Sequence, residues 1–338
     1  MDNTKTILLA AVLFCFAAGC RAQSQTKSLQ LIETIALQNI TGRIDHLSFD
    51  GKNNLVYVAA LGNNTVEVAD LTNKKIVHSI KDLHEPQGLA FIPESNSLVV
   101  ANGDNGECNM FDAAAFQKTN SIQLGDDADN VRYDAVNKKI YVGYGNGGIA
   151  IIDAVTFKLI NRIKLSGHPE SFQINKQENK MYVNVPDEKQ IEVIDLTQNK
   201  IIAQWKNIGA NANFPMALDE TNHRLFIGCR RPSKLLVLDT ETGKTIESLD
   251  IDGDTDDVFY NESSKENLPG GSKIYVSCGS GYVDVFNQAD ANHYTADGSI
   301  KTNAGARTSL FIPALHRLVI AAPARINSNA QLMVYKTN

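Results

Sequence analysis

After a short N-terminal segment, the chain alternates between short apolar runs and turn-forming clusters almost to its end. From Ala128 to His168 the runs KIYVGY, IAIID and KLINRIKL follow a strand-like start, DNVRYD, with Gly and Asn clusters between some of them. The runs are short, rich in β-branched and aromatic residues, and bounded by Gly, Asn, Asp or Pro, which predicts β-strands. Four strands fall in about forty residues, and the pattern repeats.

The second and third runs mark each copy. They read Val56-Tyr57-Val58 with Val66 to Asp70, Leu98-Val99-Val100 with Met110-Phe111-Asp112, and Tyr141-Val142-Gly143 with Ile151-Ile152-Asp153. Next come Tyr182-Val183-Asn184 with Val193-Ile194-Asp195, and Phe226-Ile227-Gly228 with Val237-Leu238-Asp239. The last two are Tyr275-Val276-Ser277 with Val283 to Phe286, and Val319-Ile320-Ala321 with Leu332 to Tyr335. Seven copies at a period of about 42 residues predict an all-β, seven-bladed β-propeller. A lone four-stranded sheet leaves both faces bare, whereas sheets stacked around an axis cover one another. Asp70, Asp112, Asp153, Asp195 and Asp239 follow the third strands and are expected to cap turns.

The seventh copy stops after three strands, and SLQLIETIAL (Ser28 to Leu37) is a strand with no blade of its own. Pairing the two closes the ring and removes an exposed edge. Residues 28–338 are therefore read as one propeller domain.

Residues 1–20 are of another kind. Lys5 precedes an apolar run, Ile7 to Ala18, too short to span a bilayer comfortably, and it reads as a secretory signal. Ala17-Ala18-Gly19-Cys20 resembles the bacterial lipobox, departing from it at Ala17, and implies a lipid anchor at Cys20 with residues 21–27 as a tether. Cleavage after Ala22 is the alternative. The net charge of −6, with Lys and Arg scattered, disfavours nucleic-acid binding. Cys108, Cys229 and Cys278 lack CxxC or zinc spacing and are expected to be free. The lengthened loop Asn261 to Ser272 is expected to be solvated and mobile.

KIYVGYG, KMYVNVP and KIYVSCG, with the trailing IIDAVTFKLI and VIDLTQNKII, resemble the YVTN-type propeller repeat of YncE-like bacterial envelope proteins. The likeness covers nearly everything after the tether. It implies a binding or scaffold protein of the periplasm or cell surface. One branch of similar propellers hydrolyses lactones.

The site follows from topology. Each blade opens with a lead-in loop running from an outer strand back to the axis, so seven such loops converge on one mouth. They carry Arg43, Asp45, His46, Glu85, Asp129, Asn130, Arg132, His168, Glu170, Asp256, Asp257 and Arg307, with Arg230 from a loop between second and third strands on the same face. Charged groups are rarely buried unpartnered. Three readings stay open. The charges form a ring of internal salt bridges holding blades together. They line a pocket whose arginines grip a small anionic ligand or a partner protein. Or Glu85, Asp129, Asn130, Glu170 and Asp256 hold a divalent cation, as in a gluconolactonase-type metal-dependent hydrolase. His46 or His168 would then be the candidate general base. No GxSxG, Ser-His-Asp order or phosphate loop is visible. The sequence thus favours a monomeric binding protein over an enzyme.

Overall fold

A computed structural model describes residues 26–206, 208–262, 271–326 and 328–337. The expected signal, Cys20 and most of the tether lie outside the described residues, as do residues 263–270 of the lengthened loop.

The strands assemble into seven four-stranded antiparallel sheets. In blades one to six the four strands follow chain order. In blade seven, Thr308–Ile312, Arg317–Ala322 and Gln331–Thr337 are completed by Leu29–Ala36. That N-terminal strand runs antiparallel to Gln331–Thr337, from Leu29 opposite Thr337 to Ala36 opposite Gln331. The expected closure is thus present.

The core is distributed rather than central. Each of seven apolar clusters joins two neighbouring blades, and one joins blade seven to blade one through Ile35, Leu37, Val58, Val319 and Leu332. The repeat tyrosines Tyr57, Tyr141, Tyr182 and Tyr275 are fully buried in these layers. Trp205, on the outer strand of blade four, packs over Tyr182 with ring centroids 5.5 Å apart. Cys108, Cys229 and Cys278 are free and buried.

Two families of acids fix the hairpins. The expected one caps the turn after the third strand: Asp153 Oδ1 accepts the Val155 and Thr156 N–H groups at 3.0 and 2.7 Å, and Asp70, Asp112, Asp195 and Asp239 do the same in their blades. These backbone hydrogen bonds hold the Asp70, Asp153 and Asp195 carboxyls below the usual carboxylate range. The second family, Asp50, Asp134 and Asp219, ends the inner strands and caps the next turn.

Register slips occur at two places. In every blade the pairing of third and fourth strands is interrupted by a bulge, at Val68/Ala69 in blade one and Ile151/Ile152 in blade three, for example. The inner strands of blades two, three, five and six also bulge near their start, between Pro86 and Leu89, Ala128 and Val131, Asn213 and Met216, and Thr255 and Asp257. A bulge re-aims the residues it contains, and in blades three and six these include Asp129 and Asp256.

Candidate functional site

The loops between second and third strands lie beside the lead-in loops, as the topology requires. Gly62 donates its N–H to the Arg43 carbonyl at 2.9 Å, Gly145 to Asp127 at 3.0 Å, and Gly279 to Asp254 at 2.8 Å. These backbone ties hold a charged vestibule at one end of the ring.

His46 marks the axis. Its Nε2 lies 3.8 Å from Asp45 Oδ1 and 3.9 Å from Asp129 Oδ1, and its Nδ1 lies 3.9 Å from Asp257 Oδ1. Those acids come from blades one, three and six, which could meet only at the centre. Burial pulls the His46 pKa below its ordinary value, partly opposed by Asp45, so the imidazole is neutral at neutral pH. The distances exceed hydrogen-bond length.

Around this centre the arginines are already engaged. Arg43 Nη2 is 2.6 Å from Asp45 Oδ2. Arg230 reaches Asp256 Oδ1 at 2.5 Å and lies over the Phe214 ring at 3.8 Å. Arg307 bonds Asp256 Oδ2 at 2.9 Å and Asp254 at 3.1 Å. Arg132 donates to the Val131 carbonyl at 2.9 Å and to Ser171 Oγ at 3.4 Å. An incoming anion would have to displace a carboxylate from Arg43, Arg230 or Arg307, whereas Arg132 forms no ion pair among the described residues.

The acids carry the strain of burial. Asp129 is 7% exposed, and its Oδ1 has no hydrogen-bond partner. Burial, then the charges of Glu170 and Asp45, push its carboxyl well above the usual range. Burial and the nearby Asp256 raise Glu170 to about 8. Burial also raises Asp257 and Asp256, the latter against the pull of Arg230 and Arg307. A carboxyl that keeps its proton when folded to about pH 8, but loses it near pH 4.3 when unfolded, takes stability away as pH rises between those values. Glu170→Gln removes that dependence. Its melting temperature should gain on the wild type progressively from pH 5 to pH 8. Parallel pH profiles for the two proteins would refute the assignment.

The remaining candidates fall elsewhere or farther out. Asn130 is buried, its Oδ1 unpartnered. His168 sits nearer the rim, its Nδ1–H directed at the Gly145 carbonyl at 2.7 Å and 3.6 Å from Asp127 Oδ2. Glu85 is exposed, with φ 50°, and its N–H donates to the Asn64 side chain. It does not join the vestibule acids. Glu85, Asp129, Asn130, Glu170 and Asp256 are thus not gathered as a cation cage. Among the described residues, no three His, Cys, Asp or Glu side chains are placed to hold a metal ion.

Sequence reasoning missed two features. Asp254, visible in the DTDD lead-in, serves both Arg230 and Arg307. Below His46 lies a channel of about 410 Å³ lined by residues of all seven inner strands, among them Phe49, Phe91, Tyr133, Ala217, Phe259 and Leu310. In the sequence these aromatics are indistinguishable from inter-blade core.

No family model matches the chain, and no curated protein matches it. Among solved structures it is similar to a chain of Kuenenia stuttgartiensis hydrazine synthase, at a TM-score of 0.72 and 13% identity, covering 88% of this chain and 96% of that one. It is also similar to a chain of a mitotic checkpoint complex, at a TM-score of 0.74 and 14% identity, covering 99% of each. At such identities the likeness is one of architecture: the chain is a seven-bladed β-propeller, a fold compatible with binding a ligand or partner.

Proposed function

We propose that this chain is a ligand-binding propeller of the bacterial envelope, related to the YVTN-type group, that admits a small molecule to its axial vestibule. One observation carries the reading: a neutral histidine stands among carboxylates from three blades, directly above a recessed channel. Buried, incompletely bonded polar groups beside a cavity are expensive to maintain for stability alone. A recessed cavity suits a small ligand better than the flat rim that a partner protein would cover. The lipobox-like Cys20 and the apolar run before it support export and tethering through a lipid at that cysteine. Among the described residues no ligand set is gathered for the metal-dependent hydrolase alternative.

The test is a thermal-shift screen of small polar compounds on the full-length protein, repeated on Ala90→Phe and Ala217→Phe. Both alanines line the channel and pack against the neighbouring blade, so a ring at either position narrows the channel. Hits are expected on the wild type and should vanish in whichever filled variants still melt cooperatively. Hits that survive filling would place binding elsewhere. Labelled-fatty-acid incorporation, lost in Cys20→Ala, checks the tether.

A further inference from the structure

We infer that the vestibule takes an organic ammonium ion, its head held by the Asp129 and Asp257 carboxylates beside His46 and its apolar body lying in the channel; this rests on the binding role proposed above.

The first ground is an imbalance of partners. Arg43 is taken by Asp45, and Arg230 and Arg307 by Asp254 and Asp256. Arg132 directs two of its five N–H groups at the Val131 carbonyl and Ser171, and lines the channel on the side of Asp257. Asp257 Oδ2 accepts the Ser309 N–H at 2.7 Å, while its Oδ1 faces His46 across 3.9 Å. Asp129 Oδ1, nine-tenths buried, accepts nothing and faces the other imidazole nitrogen across 3.9 Å. Asp129 Oδ1 is therefore a buried acceptor that no side chain of the vestibule reaches. A neutral imidazole has one N–H and cannot serve both sides.

The second ground is the shape below. The channel walls carry Phe49, Phe91, Phe259 and Tyr133. An apolar body gains burial there, and aromatic faces favour a cation above them. An ammonium supplies three donors on one compact charge, enough to bridge Asp129 and Asp257. A hard metal ion needs several oxygens at about 2.0–2.6 Å, and no such set is assembled among the described residues.

A pH dependence follows. Burial favours the protonated forms of Asp129 and Asp257 in the empty site, and an ammonium favours their ionised forms, so binding releases protons. Affinity should therefore tighten as pH rises from 6 to 8.

The experiment is isothermal titration of the full-length protein with 2-phenylethylammonium, phenylacetate and 2-phenylethanol. They share a phenyl body and differ in charge. The ammonium compound is expected to bind alone, more tightly at pH 8 than at pH 6, and about tenfold or more weakly in Asp129→Asn, since a charge-assisted hydrogen bond is lost. Asp257→Asn substitutes if Asp129→Asn fails to melt cooperatively. Phenylacetate binding as tightly as the amine overturns the inference, as does amine binding untouched by both substitutions. If phenylacetate or phenylethanol binds and Ala90→Phe abolishes it, the vestibule is a site but the ammonium assignment is wrong. If none of the three binds, the inference falls, and the screen above decides the broader reading independently.

Discussion

Deleting residues 29–37 should yield an insoluble or unfolded protein. The segment supplies the fourth strand of blade seven and buries Leu29, Ile35 and Leu37, which are 6%, 1% and 1% exposed. Burying an aliphatic side chain of this size is worth about 1.5–3 kcal/mol, so these three contribute roughly 5–9 kcal/mol. Whole domains are stable by about 5–15 kcal/mol. The deletion also strips the partner from Gln331–Thr337, leaving an apolar strand with open N–H and C=O groups. The loss is thus both thermodynamic and colloidal. Soluble yield and far-ultraviolet circular dichroism measure it. A soluble deletion that melts cooperatively would show that the ring does not depend on its closing strand.

Gly88→Ala should destabilise the protein and disable the vestibule together. A Cβ at Gly88 would stand 1.9 Å from the Asp129 carbonyl oxygen and 2.9 Å from Val131 Cγ2. The first obstacle is backbone, so blade two or the bulge of blade three must move. Overpacking of this kind costs roughly 1–3 kcal/mol, sometimes more. The displaced residue is Asp129 itself, so the 2-phenylethylammonium affinity should fall further than stability explains. Gly51→Ala is the control. Its Cβ would meet only the Phe49 ring, at 3.4 Å, and it should stay within about 0.5 kcal/mol of wild type. Chemical denaturation separates the two variants. Equal midpoints for Gly88→Ala and wild type would remove the close approach from the account.

Much of the architecture was legible because it is written in repetition. Alternating apolar runs, acidic turns such as that at Asp153, and one strand too many at Ser28 to Leu37 lead to seven blades and a closed ring. Convergence of the lead-in loops followed from that topology, and it correctly joined Arg43, Asp45 and His46 to Asp129 and Asp257. What could not be read depends on single-residue slips. The bulge between Ala128 and Val131 decides where Asp129 faces, and no apolar pattern encodes it. Glu85 looked equivalent to the other lead-in acids, yet a left-handed backbone and the Asn64 side chain turn it outward. Which arginine takes which acid is likewise a matter of tenths of an ångström. The aromatic channel wall was hidden because a phenylalanine facing an axis and one facing a neighbouring blade obey the same alternation.

The bulged outer strands bear on how the molecule behaves in a crowd. Its circumference exposes Val77, Leu159, Ile160, Ile202 and Ile246, greasy side chains on strands whose outward hydrogen-bonding groups have no sheet beside them. Straight rims of that composition would zip together wherever copies collided. Because each rim is kinked at the same step of its ladder, two rims brought side by side fall out of register after a few residues. Molecules packed shoulder to shoulder can then jostle without fusing into fibres.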